Sequence, residues 1–202
     1  EKFTRYRHDP DNPDSISGNI VTGCYEDRSG MIWVVENTGP IDMYDKNMKA
    51  FELFRHRSGN SDSLSANVVP SIMEDSQGYI WLATHLGGLN RYDRNRGTFR
   101  WYQESDHQPD GISDNYVFSV LEDSDQNLWV SMNDGTHGIF DPETGMFKKK
   151  FKNPYADVAA RGMIEDARDP GVLWFGTEAH GLFRFEKDTG RFTFATATDG
   201  NH

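Results

Sequence analysis

The sequence predicts an all-β fold made of β-propeller blades, each with four antiparallel strands, and three observations lead to this prediction. Around each repeated tryptophan, short segments rich in β-branched and aromatic residues alternate with turn sequences that contain Gly, Asn or Asp. No segment shows sustained helical periodicity. The repeat length and four strands per unit are typical of propeller blades, whereas a sandwich or barrel gives no reason for one sequence to recur four times. The tryptophans recur at steps of 48, 48 and 45 residues: Trp33, Trp81, Trp129 and Trp174.

The second repeat shows how a unit divides into strands. Its turn sequences are DSQG, the HLGG region and RNRG. They separate four predicted strands, at 68–74, 80–84, 89–93 and 98–103.

The whole chain is expected to be a single propeller segment, 1–202, with four repeats and one leading outer strand. Residues 3–7 (FTRYR) resemble the fourth strands of later repeats, so the segment is either part of a larger ring or a small ring closed by that first strand. The predicted parts are the outer strand and loop of a preceding blade at 1–17 and blades at 18–65, 66–113, 114–156 and 157–202.

The charge balance argues against a nucleic-acid partner. The chain has 21 Lys and Arg against 32 Asp and Glu, a net charge of −11, whereas nucleic-acid backbones and anionic membranes attract basic surfaces. The sequence has no run of eighteen apolar residues, so no membrane span is expected.

The sequence leads to two predictions about residues on the first strand of each repeat. The single cysteine, Cys24, excludes a disulfide framework and a multi-cysteine zinc site. Cys24 shares a column with apolar residues, so we expect it to be a small core residue between blades. The preceding column is small in every repeat, as expected where innermost strands converge at an axis: Gly23, Ser71, Ser119 and Gly162.

Residues 63–99 contain the segments SLSANVV, MEDSQGYIW, ATHLGGLNRYD and GTF. This pattern resembles the two-component regulator propeller repeat, and the other copies match it less fully. The resemblance implies a seven-bladed propeller in the periplasmic sensor region of an inner-membrane protein, often one that responds to carbohydrates. It also implies three partners: the remaining blades of the parent chain, its histidine kinase, and a small-molecule or oligosaccharide ligand.

An acidic pair precedes each tryptophan and resembles an acid/base catalyst. A catalytic pair is needed once, however, and this pair recurs in every repeat. We therefore interpret each Asp as a turn residue whose side chain accepts backbone N–H groups, and each Trp as packing between blades. The predicted structural residues are Asp27, Trp33, Asp75, Trp81, Asp123, Trp129, Asp166 and Trp174.

Candidate ligand-binding residues are the polar ones at positions where the repeats differ. They are expected to gather at one rim and to suit sugar hydroxyls or an anionic sugar; the alternative is ordinary solvated loop polarity. Asn19, Asn67 and Asn115 of the inter-blade loops are expected at the same rim. The candidates are Asn37, His85, Asn133, Arg161, Glu178, His180 and His137.

Three functions from different classes remain open at this stage. The leading hypothesis is a ligand-sensing module of a two-component sensor, with no catalytic residue, cofactor or metal. The alternative is a propeller lyase resembling streptogramin lyase, with His85, His137 and His180 at the ring mouth holding a divalent ion; their different loop positions do not imply convergence. The third is a homodimer formed through exposed blade faces.

Overall fold

The computed structural model describes residues 3–37, 39–153, 159–178 and 180–194, and these form sixteen β-strands. Within these ranges, no helix is long and apolar enough to cross a membrane. The strands are β1 (Val21–Glu26), β2 (Ile32–Glu36), β3 (Ile41–Asp45), β4 (Ala50–Phe54), β5 (Ser71–Glu74), β6 (Ile80–Thr84), β7 (Gly88–Asp93), β8 (Thr98–Tyr102), β9 (Val117–Glu122), β10 (Leu128–Met132), β11 (Thr136–Asp141), β12 (Met146–Lys152), β13 (Ala160–Glu165), β14 (Val172–Thr177), β15 (Leu182–Glu186) and β16 (Arg191–Phe194).

Every four consecutive strands form one antiparallel sheet, with neighbours in the sheet following chain order. We call these sheets blades 1 to 4. The predicted all-β fold with four-stranded blades is therefore confirmed. In blade 2, three strands match their predicted bounds to within one residue, but β5 begins at Ser71 rather than at 68. Pro70 explains this difference, because proline has no N–H to donate to a strand ladder.

The predicted outer strand at residues 3–7 is not among the sixteen strands. Its side chains nevertheless occupy an outer-strand position. The Tyr6 ring lies 4.9 Å from that of Tyr44 and 5.5 Å from that of Phe51. Phe54 of blade 1 contacts the matching pair of rings in blade 2 in the same way. In the described part of the chain, side-chain packing rather than a backbone ladder therefore attaches this segment.

The chain divides into two compact units, Glu1–Trp101 and Tyr102–His202, and each is described by itself. The single propeller segment over 1–202 stays a prediction. In each unit an apolar core fills the space between two blades and includes the tryptophan of the earlier blade. The core of the first unit contains Trp33, Ile41, Phe54, Leu64, Val69, Ile80, Leu82 and Tyr92. The core of the second contains Trp129, Ala160, Leu173, Phe175, Phe183, Phe185 and Phe192.

Each turn between the first and second strand is built around its aspartate. One carboxylate oxygen of Asp75 accepts the amide N–H groups of Gln77 and Tyr79, both at 2.9 Å. The other oxygen accepts the indole N–H of Trp81 at 2.7 Å. The same indole bond measures 2.7 Å for Asp27 and Trp33, 2.7 Å for Asp123 and Trp129, and 2.9 Å for Asp166 and Trp174.

A cation from the later blade reaches the turn aspartate of the earlier blade in both units. Arg94 of blade 2 forms an ion pair with Asp27 of blade 1. In the second unit, Lys187 Nζ of blade 4 lies 3.0 Å from Asp123 Oδ2 of blade 3 and 2.7 Å from Glu165 Oε1 of its own blade. Because Asp27 and Asp123 are buried, the cations compensate charges that have lost their water.

In two of the acidic pairs the glutamate also connects blades. Glu74 Oε2 accepts the amide N–H of Arg28 in the preceding blade at 2.7 Å. Glu165 Oε2 accepts the amide N–H of Ser124 at 2.8 Å. These two glutamates therefore make blade-to-blade contacts within their units.

The expectation for Cys24 is wrong. Cys24 is exposed rather than enclosed between blades. Tyr25, the next residue, is the one that packs against the core shared with blade 2, and neighbouring strand residues point to opposite faces. The expectation for the small column stays a prediction. Ser119 is buried, whereas an added Cβ at Gly23 or Gly162 would meet no heavy atom within 4 Å in the described ranges.

Candidate functional site

Arg161 and Glu178 meet at the end of the second unit where β13 begins and β14 ends. These strands are antiparallel, with Ala160 opposite Thr177, and Arg161 and Glu178 each directly follow one residue of this pair. One guanidinium nitrogen of Arg161 contacts one carboxylate oxygen of Glu178. Both side chains are open to solvent, 40% and 72% exposed respectively. The structure therefore brings these two predicted site residues together.

An aromatic ring of the neighbouring blade supports the arginine. Arg161 Cζ lies 3.8 Å from the ring centroid of Phe118 on β9. A guanidinium above an aromatic face is stabilised by the electrostatic field of the ring. Phe118 itself is buried, so it provides a fixed base under an otherwise exposed cation.

A β-bulge places Arg161 in this position. The ladder between β13 and β14 shifts register between Ala160 and Gly162, so Arg161 is the extra residue. The first strands of blades 1 and 3 shift at the same place, where Thr22 and Phe118 are the extra residues. Bulges redirect side chains and are frequent beside functional sites. In three of the four blades the variable column thus holds bulged residues, which residue spacing alone did not reveal.

Asn133 and His180 belong to the same end of the second unit. The amide N–H of Asn133 donates to the Tyr116 carbonyl at 2.9 Å, and its side-chain nitrogen lies 3.3 Å from Asp114 Oδ2. His180 follows β14 and its side chain is exposed. The same end of the unit as the Arg161 pair therefore also carries an amide, a carboxylate and an imidazole group.

Asn37 and His85 lie at the matching strand ends of blades 1 and 2, in the first unit. Their amide N–H groups donate to the carbonyls of Ile20 at 3.1 Å and Val68 at 3.0 Å. Asn37 is exposed and His85 is half-buried. The predicted single rim of all candidates stays a prediction, because these two residues and the Arg161 pair belong to separate units.

His137 does not face solvent, so its predicted rim position is wrong. Its side chain is fully buried, with Nδ1 2.9 Å from Ser131 Oγ and its ring centroid 4.8 Å from that of Phe175. Burial lowers the pKa of the imidazole to about 4. The matching positions hold Ile41, Leu89 and Leu182, and His137 occupies the same inward-facing column.

The inter-blade asparagines hold loops, and their predicted place at the rim stays a prediction. Each side-chain oxygen accepts the amide N–H of the residue eleven positions earlier. The distances are 3.1 Å from His8 to Asn19, 2.7 Å from His56 to Asn67 and 2.9 Å from Glu104 to Asn115.

Sequence reasoning missed a buried pair of carboxylates in blade 1. Asp42 is 1% exposed and accepts the Ser17 hydroxyl at 2.6 Å, and Glu36 is 8% exposed. Burial raises the pKa of both groups, and the charge of Asp42 raises that of Glu36 further. The sequence feature that could have indicated this pair is the presence of acidic residues at two positions where blade 2 has Thr84 and Asn90. Since Asn90 also bonds its loop serine, Ser65, we interpret Asp42 as a loop anchor.

The described residues contain no cluster of three or more His, Cys, Asp or Glu side chains suited to a metal ion. The three histidines of the lyase alternative do not form such a cluster within those ranges.

Two solved structures from B. thetaiotaomicron resemble this chain. One is the extracellular domain of BT3049, described as a hybrid two component system, with a TM-score of 0.77 at 23% identity over 95% of this chain and 25% of that chain. The second is the extracellular domain of BT4673, described as a one component system, with a TM-score of 0.67 at 22% identity over 90% and 23% of the two chains. The present chain thus spans about a quarter of their length, and the likeness shows the fold.

Virginiamycin B lyase from Staphylococcus aureus shares the fold as well. Its TM-score is 0.65 at 22% identity, over 89% of this chain and 56% of the lyase. No curated protein sequence matches the chain.

The repeat itself is recognised in the two central blades. Residues 63–85 and 111–134 match the family model of the two component regulator propeller. The first match covers the loop before β5 through the end of β6, and the second covers the corresponding part of blade 3. The predicted resemblance is confirmed for these two segments, which match the two component regulator propeller.

Proposed function

We propose that this chain is a ligand-recognition segment of a periplasmic sensor in a two-component system, and that the Arg161 end of the second unit binds a carbohydrate. The rest of the propeller and a histidine kinase would belong to the parent protein. The family match supports the sensor context, and the extracellular domains of similar fold agree with a location outside the cytoplasm.

The single observation that carries the proposal is the bulged arginine. The repeat gives every blade the same aspartate turn and the same hydrogen bond to its tryptophan, so those residues are accounted for by folding. Arg161 differs from its counterparts, is held over Phe118, and reaches solvent beside Glu178. A charged hydrogen-bond donor with fixed geometry and exposed polar neighbours suits the hydroxyl groups of a sugar.

Calorimetric titration with a panel of neutral and acidic oligosaccharides tests the proposal. We expect a member of the panel to bind, and Arg161→Ala to weaken its binding by about tenfold or more, because a charged hydrogen bond is lost. Arg191→Ala is the matched control, since Arg191 is exposed at the opposite end of blade 4. Equal affinities for the wild type and Arg161→Ala would contradict the site, and a panel without any binding would contradict the carbohydrate.

The lyase alternative rests on the shared fold. It invoked three histidines, and the enclosure of His137 removes one of them from any substrate. Turnover of a streptogramin by this chain would reverse our preference.

A further inference from the structure

We infer that the ligand of the Arg161 end is an acidic saccharide, whose carboxylate or sulfate takes the place of Glu178 on the arginine. This inference rests on the proposed function. It adds that the ligand is negatively charged and that Glu178 competes with the ligand for Arg161.

The arginine is prepared for a planar anion. Its guanidinium lies over the Phe118 ring, which restrains the side chain while leaving the edge with its N–H donors available. Guanidinium groups bind carboxylates and sulfates through two parallel hydrogen bonds. The contact with Glu178, in contrast, joins one nitrogen to one oxygen. A ligand anion that engages two donors therefore makes the better pair.

Glu178 can leave the arginine at little cost. Its side chain is 72% exposed and directly follows β14, outside the strand. Exposed ion pairs are weak because water and salt screen both charges. After displacement the carboxylate remains solvated, so no buried charge is created.

The surrounding groups suit the rest of a sugar. Asn133 and Asp114 provide amide and carboxylate groups for hydroxyls, Tyr116 is 36% exposed as an aromatic surface, and His180 is exposed two residues after Glu178. Arg161 is the group among them that carries a full positive charge at neutral pH. An acidic sugar is therefore favoured over a neutral one of the same shape.

The test compares matched saccharides, the trimers of galactose and galacturonate and the trimers of glucose and glucuronate, by calorimetry on the whole chain. We expect an acidic trimer to bind more tightly than its neutral counterpart. Glu178→Gln should tighten the acidic ligand about two- to fivefold, because the competing carboxylate is gone. Arg161→Gln should abolish the preference for acid. Glu143→Gln is the control, since it removes the same charge from an exposed position elsewhere.

The outcomes separate this inference from the proposed function. Tighter binding of the neutral trimer, or no effect of Glu178→Gln on the acidic one, would overturn the acidic ligand while leaving a carbohydrate site. An equal gain in Glu143→Gln would assign the effect to net charge and overturn the role of Glu178. Failure of all trimers to bind would overturn both proposals.

Discussion

Replacing Asp123 by alanine is expected to destabilise the second unit by about 2–4 kcal/mol, because a buried acceptor of several hydrogen bonds is lost while Lys187 keeps its pair with Glu165. The Asp123 side chain has no solvent exposure and accepts the indole N–H of Trp129, the amide N–H groups of its turn, and Lys187. Its removal leaves a tryptophan donor without an acceptor and takes one carboxylate from Lys187, which is 9% exposed. Urea denaturation followed by tryptophan fluorescence measures the loss.

Asp166→Ala is the matched control within the same unit. Asp166 makes the same bonds to its turn and to Trp174, but Trp174 is only part-buried and no ion pair to Asp166 is present among the described residues. We therefore expect a clearly smaller loss. Equal losses for the two variants would show that the blade-to-blade cation contributes nothing and would contradict our account of the seam.

Replacing His137 and Ser131 together by leucine and alanine is expected to stabilise the second unit in mild acid. The pKa of buried His137 is about 4 in the folded chain, against an ordinary value of 6.5. Between pH 6.5 and pH 4 the unfolded chain binds a proton on this histidine and the folded chain does not. Stability is thus lost as the pH falls from 6.5 to 4, by up to about 3 kcal/mol.

The double variant reproduces a pair that blade 2 already uses, because Ala83 faces Leu89 where Ser131 faces His137. We expect its unfolding free energy to change little between pH 6.5 and 4. The lowered pKa of Asp123 does not interfere, since burial raises it but hydrogen bonds from Trp129, Asn127 and Lys187 outweigh that effect, and its contribution is lost only below about pH 4. The explanation would be contradicted if the unfolding free energy of the double variant still fell between pH 6.5 and 4. It would also be contradicted if this fall disappeared in the exposed control His107→Gln.

The fold was predictable because the same sequence pattern recurs in each blade. The aspartate, the turn residue three positions later (Gly30, Gly78 and Gln126 in blades 1 to 3) and the tryptophan specify one hairpin, and four copies leave little choice of architecture. The sequence also shows a recurring cation directly after the third strand of a blade: Lys46, Arg94 and Lys187, with Pro142 as the exception. The aspartate that this cation contacts in the earlier blade could not be predicted, since the two residues are more than sixty positions apart.

The site was predicted only in part. Arg161 and Glu178 were found because they break the repeat, but the bulge that joins them depends on backbone pairing that the sequence does not express. The predicted rim position of His137 was wrong because the prediction relied on the polarity of histidine and not on the apolar residues at the matching positions of the other blades. The loop contacts of the inter-blade asparagines were not predicted, because a side chain that accepts a backbone amide N–H is indistinguishable in sequence from one that faces a ligand.

The central claim is that repeated residues hold the blades together while the bulged Arg161 and its neighbours recognise the ligand. Nuclear magnetic resonance spectra of the ¹⁵N-labelled chain, recorded during titration with an acidic oligosaccharide, test it most directly. We predict shifts of the Arg161 side-chain N–H and of the amides of Asn133, Glu178 and His180, with unchanged indole signals of Trp33, Trp81, Trp129 and Trp174. Shifts that occur at the indoles and spare Arg161 would contradict the account.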